Sequence, residues 1–175
     1  MEGIMTFLEL AADRYSVRKF KNEPIEEEKL AKIIEAARLA PTACNNQPQK
    51  IYVVKSEEKR MALAEVCQCT FDAPVIVAIG YDVERTWKNK LMPGYQSGET
   101  DAAIVCTHMM FEAWEQGIGS CWVGWFNADQ VEEVLGLPEN VTISALLPMG
   151  YPEEGVQPAN LHTLYRDNSD MVEIL

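Results

Sequence analysis

One helix constrains this chain more than any other feature. From Gly98 to Gln116 the sequence reads as a single long helix, and Ala102, Ala103, Ile104, Val105, Cys106, Met109, Met110 and Phe111 leave it little polar face. A helix that is apolar nearly all round has to be covered on every side. The chain has 175 residues, enough for one ordinary domain that buries a core without staples. In so small a domain, burial of one helix on all sides implies that a second subunit covers part of it.

The other elements are placed by periodicity and by punctuation. Thr6 to Asp13 reads as a short helix with Phe7, Leu8, Ala11 and Ala12 on one face, and Arg14 to Lys21 as a polar connection. Pro24 leads into a second helix. Its acidic first turn (Glu26, Glu27, Glu28) suits the positive end of the dipole, Leu30, Ile33, Ile34, Ala37 and Ala40 keep the 3.6-residue period, and Pro41 stops it. Pro41 to Gln49 is loop by composition, Ile51 to Val54 a strand, and Ser56 to Val66 a third helix with Ser56 as its N-cap. Pro74 opens a buried strand, Val75 to Ile79. The mixed stretch 83–97, with Pro93 and Gly94, is a candidate mobile lid. After the long helix, closed by Gly117 and Gly119, come a third strand (Ser120 to Trp125), a short helix (Asp129 to Leu135, ending at Gly136) and a fourth strand (Thr142 to Leu147). Beyond Gly150 the chain is polar and Pro-rich, but its closing residues Met171, Val172, Ile174 and Leu175 favour docking. This order describes a layered α+β or α/β domain, in which the pattern leaves strand polarity open.

Composition excludes several function classes. The net charge of −12 argues against nucleic acid, because affinity for phosphate backbones comes mainly from clustered Lys and Arg. No apolar run approaches the roughly 20 residues that span a bilayer. Met1 to Leu10 carries Glu2 and Glu9 and no basic stretch, so it does not read as a signal peptide. Five cysteines without a secretion signal fit free thiols in a reducing compartment, and a cytoplasmic location is expected.

For chemistry, the absences come first. No Gly-rich dinucleotide fingerprint follows a strand and opens a helix, and there is no Walker loop. The only histidines are His108 and His162. His108 reads as a hydrogen-bonded core residue, so a Ser-His-Asp or Cys-His triad has little to build on. Cys67-Gln68-Cys69 lacks the second ligand pair a tetrahedral metal site needs. Three features remain. Arg14-Tyr15-Ser16-Val17-Arg18-Lys19 is a dense positive knot in an acidic chain; it is either an anion site, since guanidinium forks match phosphate, or a solvated turn. Pro41-Thr42-Ala43-Cys44-Asn45-Asn46-Gln47-Pro48 offers amides and a hydroxyl that suit the edge of a heterocycle, or forms an ordinary helix-to-strand turn. Gly117 to Trp125 alternates small residues with aromatics, which lets a flat ligand approach the backbone, although a packed strand explains it as well.

In this order the features resemble the nitroreductase family, the FMN-dependent NAD(P)H oxidoreductases. Arg14, Ser16, Arg18 and Phe20 meet an R-x-S-x-R-x-F pattern. Ala40, Pro41, Asn45, Gln47 and Pro48 meet an A-P-S-x-x-N-x-Q-P-W segment, in which Thr42 replaces serine and Gln49 replaces tryptophan. Gly117 to Gly124 meets G-x-G-S-C-W-x-G, and Gly150-Tyr151-Pro152 a late G-Y-P turn. The resemblance implies an α+β fold with a central, mainly antiparallel sheet flanked by helices. It implies an intertwined homodimer with two FMN sites at its interface, residues 1–175 forming a single domain, and the 151–175 tail docking on the partner subunit.

The resemblance also implies roles. Arg14 and Ser16, with Arg166, hold the FMN phosphate and ribityl end. Arg18 lies toward flavin N1 and the C2 carbonyl, Gln68 at the pyrimidine edge, and the backbone of Val123 and Gly124 near N5. Pro41, Thr42, Ala43, Asn45 and Gln47 come from the other subunit. Hydride passes from NAD(P)H through flavin N5 to a small acceptor such as a nitroaromatic or quinone in a ping-pong cycle, and no side chain acts as a catalytic acid. Three other readings stay open: a family member with dehalogenase or dehydrogenase chemistry, a flavin-binding carrier or sensor without turnover, and a protein-interaction module whose motifs are coincidental. Cys44, in the proposed flavin loop, is the thiol to test for reactivity.

Overall fold

The computed structural model describes residues 5–175; the reading of Met1 to Leu10 as unlike a signal peptide falls in part on the first four residues, outside the described ones. The elements are α1 (Phe7–Asp13), α2 (Glu27–Leu39), β1 (Gln49–Val54), α3 (Glu57–Val66), β2 (Val75–Asp82), α4 (Gly98–Glu115), β3 (Gly119–Ser120), α5 (Ala128–Leu135), β4 (Val141–Gly150) and α6 (Asn168–Met171). The strands form one sheet in the order β1-β2-β4-β3, antiparallel at every junction.

The sheet separates two apolar layers, and β2 shows why. Its eight residues are all buried, so the run is apolar on both faces. Val75, Val77, Ile79 and Tyr81 face α2 and α4, while Ile76 and Ala78 face the layer of Leu63 in α3 and Val131 in α5. In β4 the register against β2 shifts between Ile79 and Gly80, skipping Ser144. The extra residue reverses the alternation, so Ile143 joins the second layer and Ala145 the first.

Two expectations need correction, those for the 14–21 connection and for the third strand. Helix α4 is not covered on all sides by its own chain. Val105, Cys106, Met109 and Ala113 are fully buried, but Ile104, Thr107, His108, Met110 and Phe111 keep partial exposure. Arg14 to Lys21 is more than a polar connection, since Val17 and Phe20 are buried and Ser16 pairs with Ser120 in a parallel bridge. The third strand is short. Cys121 N–H donates to Pro148 O at 3.1 Å, but proline has no N–H to return, and regular pairing lapses until the isolated Val123–Leu146 bridge. Ser56 stands at the N-cap of α3 yet makes no side-chain cap bond.

The stretch 83–97 folds back on itself. Ser97 N–H donates to Trp87 O (3.0 Å), Asn89 N–H to Tyr95 O (3.1 Å), and the Trp87 and Tyr95 rings meet edge-on, leaving Leu91 exposed at the tip.

Candidate functional site

Residues 14–20 form an extended ribbon laid along the β3 edge. Val17 N–H donates to Ser120 O at 3.0 Å on one side. On the other, Lys21 N–H donates to Tyr151 O (2.8 Å), Glu153 N–H to Lys19 O (3.2 Å) and the Tyr15 hydroxyl to Val156 O (3.2 Å). In an extended segment, residues two apart share a face. Val17 points inward, so Arg14, Ser16 and Arg18 are presented together on the opposite face. The i, i+2, i+4 spacing of the motif is therefore strand spacing, a signal obscured by the polar look of the segment.

The electrostatics of Cys121 register the same cluster. Burial pushes its thiol up, while the charge of Arg18, a hydrogen bond with Ser16 and the charge of Arg14 oppose that shift. Arg18 is exposed, with Nη1 donating to Ser16 O at 3.3 Å. Arg14 is part-buried, its guanidinium 6.0 Å from the centre of the Phe111 ring, and its Nε has no hydrogen-bond partner among the described residues. A buried guanidinium donor left without an acceptor costs free energy; an oxyanion would satisfy it. Ser16, Arg18 and Lys19 line a cleft of about 360 Å³ whose far wall is Glu153 to Gln157.

Gln68 and the segment after β3 share a second cleft. Gln68 opens a single 3₁₀ turn, Gln68–Thr70, and is exposed. With Val66, Cys67, Trp125, Phe126 and Asn127 it lines about 350 Å³. The Cys67 thiol meets Trp125 O at 3.8 Å. Val123 is buried, but Gly124 is exposed, and a Cβ built on it would meet nothing within 4 Å. A flat ligand can thus reach this backbone.

The loop 41–47 lies elsewhere, just before β1 on the opposite edge of the sheet. Ribbon, β3, β4, β2 and β1 are separated by four inter-strand steps, roughly 19 Å at about 4.8 Å each. The structure therefore places Arg14, Ser16 and Arg18 around Cys121, Gln68 in a second cleft with Trp125, and Pro41, Thr42, Ala43, Asn45 and Gln47 at the far edge of the sheet. Arg166 is exposed, beyond the 3₁₀ turn Asn160–Thr163, whose His162 lies 3.0 Å from Ala12 O.

Inside the loop the backbone is unusual. Cys44, Asn45 and Gln47 have φ of 51°, 53° and 49°, the left-handed region that residues with a Cβ avoid. Thr42 closes the loop on itself: its hydroxyl accepts Gln47 N–H at 3.1 Å. Gln49 is the first residue of β1, and its buried Oε1 has no partner among the described residues. Sequence reasoning missed Asp101, which accepts Ala43 N–H at 2.9 Å and is 2% exposed. An acidic residue in the first turn of a helix is ordinary, so nothing in the sequence marked it.

Among the described residues no cluster of three or more His, Cys, Asp or Glu could hold a metal ion. His108 Nδ1 lies 2.8 Å from Ile104 O, the intrahelical contact of a structural histidine. No helix among the described residues is long and apolar enough to cross a membrane.

Comparison with known proteins addresses the same residues. Residues 11–71 and 67–151 match the model of the nitroreductase family. A nitroreductase family protein from Clostridium difficile 630 is 35% identical and superposes with a TM-score of 0.89 over 97% of this chain and 98% of its own. An FMN-dependent nitroreductase from Clostridium difficile R20291 is 25% identical, with a TM-score of 0.75 over 93% and 99% of the two chains. An NADH dehydrogenase of Thermus thermophilus is 29% identical over 89% of this chain and 91% of its own.

Proposed function

The chain belongs to the nitroreductase family, and from that premise we propose that it is an FMN-dependent oxidoreductase carrying hydride from NAD(P)H to a small electron acceptor, a nitroaromatic, a quinone or a similar molecule. The observation that carries this reading is Arg14, a part-buried cation with an orphaned Nε, which with Ser16 and Arg18 surrounds the Cys121 thiol. A phosphate supplies the acceptor that Arg14 lacks. Bound FMN would supply the redox chemistry, hydride transfer from NAD(P)H to the acceptor through flavin N5 in a ping-pong cycle.

The chain's own residues bind, orient and stabilise. Arg14 and Ser16, with Arg166 from the tail, hold the phosphate and ribityl end. Arg18 places a fixed positive charge at the N1 and C2-carbonyl edge, where negative charge develops on reduction. Gln68 meets the pyrimidine edge, and the open backbone at Val123 and Gly124 lets the ring approach closely. Pro41, Thr42, Ala43, Asn45 and Gln47 close the site from a second subunit, because one chain holds that loop and the ribbon at opposite sheet edges. The part-exposed face of α4 and the exposed apolar residues of the 151–175 tail pack in the same homodimer, with residues 1–175 acting as one domain. Five free cysteines fit a cytoplasmic enzyme.

The visible spectrum of the purified protein, before and after anaerobic NADH or NADPH, tests this reading. Flavin bands that bleach with either donor support it. A colourless protein that takes up no added FMN overturns it, and bound flavin that stays oxidised under both donors makes the protein a carrier or sensor.

A further inference from the structure

We propose that Asp101 is a positioning residue for the cofactor site: its buried carboxylate sets the strained 41–47 loop in the shape that the second subunit's flavin requires, and ties that loop to the base of the 83–97 segment. The inference rests on the function proposed above.

Asp101 lies in the first turn of α4, 2% exposed. Its two oxygens are divided between two partners from different segments. Oδ1 accepts Ala43 N–H at 2.9 Å, and Oδ2 accepts the Ser97 hydroxyl at 2.7 Å. The Ser97 oxygen in turn accepts Trp87 N–H at 3.2 Å. No ion pair neutralises the carboxylate among the described residues. A buried charge held without a counter-ion is costly, so core packing alone does not account for it; an alanine or leucine would fill the helix more cheaply.

What the carboxylate organises is the loop. Three of its residues, Cys44, Asn45 and Gln47, hold left-handed backbone, a state that persists only where the surroundings over-determine it. The loop's internal bonds run from Asn45 N–H to Thr42 O (2.9 Å), Asn46 N–H to Ala43 O (3.1 Å) and Gln47 N–H to the Thr42 hydroxyl (3.1 Å). These close the loop on itself but do not aim it. Aim comes from Ala43 N–H on Asp101, because α4 is anchored in the core by Val105, Cys106 and Met109. The same carboxylate fixes Ser97, where the 83–97 segment joins α4, so cradle and segment share one hub.

The test is FMN binding, read by flavin fluorescence quenching and the visible spectrum of the bound flavin. Wild type is measured first; if it takes up no FMN, the proposed function falls and this inference with it. Given a flavin-binding wild type, Asp101→Ala is expected to bind FMN about tenfold or more weaker, the loss of a hydrogen bond to a charged group. Asp101→Asn is expected to stay within about threefold, because its amide still accepts from Ala43 and donates to Ser97. Should Asp101→Ala fail to fold, Ser97→Ala, which removes one of the two bonds, takes its place with an intermediate loss.

Mixed dimers separate positioning from a general structural role. A dimer of one Asp101→Ala chain and one Arg14→Ala chain has one doubly defective site and one intact site if Asp101 acts across the interface. It then regains about half of wild-type FMN uptake. Unchanged binding in Asp101→Ala overturns the proposal, as does a loss that Asn does not rescue or that mixed dimers do not restore.

Discussion

Val17 and Gly119 lie so close that no side chain fits between the ribbon and the sheet: a Cβ added to Gly119 would stand 2.6 Å from Val17 Cγ2 and 2.8 Å from its Cβ. Val17 has no exposed surface and nowhere to retreat. The contact fixes the height of the ribbon over β3, and so the position of Ser16 and Arg18 on either side of Val17.

Gly119→Ala should therefore cost about 1–3 kcal/mol of stability, the usual range for overpacking a filled core. For a chain of this size that lowers Tm by roughly 2–4 °C per kcal/mol. FMN affinity should fall with it, because the ribbon carries the residues proposed above to face the phosphate. Gly117→Ala is the control. Gly117 has φ of 75° but open space around it, so the change strains only the helix end and should leave FMN binding intact. Calorimetry with FMN titration checks both; equal FMN affinity in the two variants would dissociate the ribbon from the cofactor.

The contrast between ribbon and loop shows what the sequence made legible. The motif residues Arg14, Ser16 and Arg18 were readable as types, but their shared face was not, since Val17 and Phe20 look like scattered apolar residues until the β3 edge and the 151–156 backbone supply partners on both sides. The helices and β2 were readable because periodicity and burial agree locally, as in the eight buried residues of β2. The end of β3 was not, because it depends on a proline in another strand. Asp101 was invisible for a similar reason: its partners, Ala43 and Ser97, are meaningful only once α2, α4 and the loop are packed. The apolar surface of α4 was legible as a demand for cover, and the chain meets only part of it.

Arg14 offers the sharpest test of the anion site. Arg14→Ala should weaken FMN binding by about 1.5–3 kcal/mol, the range for a hydrogen bond to a charged group. Arg14→Lys should recover little, since an ammonium cannot present the fork of a guanidinium. Riboflavin, which lacks the phosphate, should bind wild type and Arg14→Ala alike. Fluorescence titration with both ligands decides it: an equal loss for riboflavin would place Arg14 at the ring rather than at the phosphate.

An uncovered apolar surface should hold the dimer. Phe7 of α1 and Leu39 of α2, 64% and 66% exposed, line a cleft of about 370 Å³ that also reaches His108 and Phe111 on α4, and Leu8 of α1 is itself 78% exposed. Burying one such side chain is worth about 1.5–3 kcal/mol, and a two-fold interface contains each residue twice. Leu8→Glu with Leu39→Glu should give monomers at micromolar concentration in light scattering and abolish FMN retention. Removal of residues 171–175, exposed apolar side chains apart from Glu173, should weaken the dimer in the same assay. Wild type already monomeric, or variants still dimeric, would send this surface to another role.

Among the buried thiols, Cys106 should contribute most to the loss of stability in alkali. Cys106 has no exposed surface, and burial in the apolar layer beside Val105 and Met109 pushes its thiol from near 9 up to about 12. The unfolded chain ionises this group near its ordinary value, whereas the folded chain keeps it protonated. Above pH 9 the unfolded state therefore binds fewer protons, and stability falls as pH rises. The contribution is whole below pH 9 and is lost progressively up to about 12, by about tenfold in the folding equilibrium per pH unit. Cys106→Ala leaves a small cavity and should be less stable at neutral pH, yet its stability should decline less steeply above pH 9. Urea unfolding of both proteins at half-unit steps from pH 7 to 10.5 gives the comparison. Converging curves are expected, because the alanine variant has no proton to lose at that position. Curves that stay parallel would mean that Cys106 ionises alike in the folded and unfolded chains, and that the layer around α4 is wet.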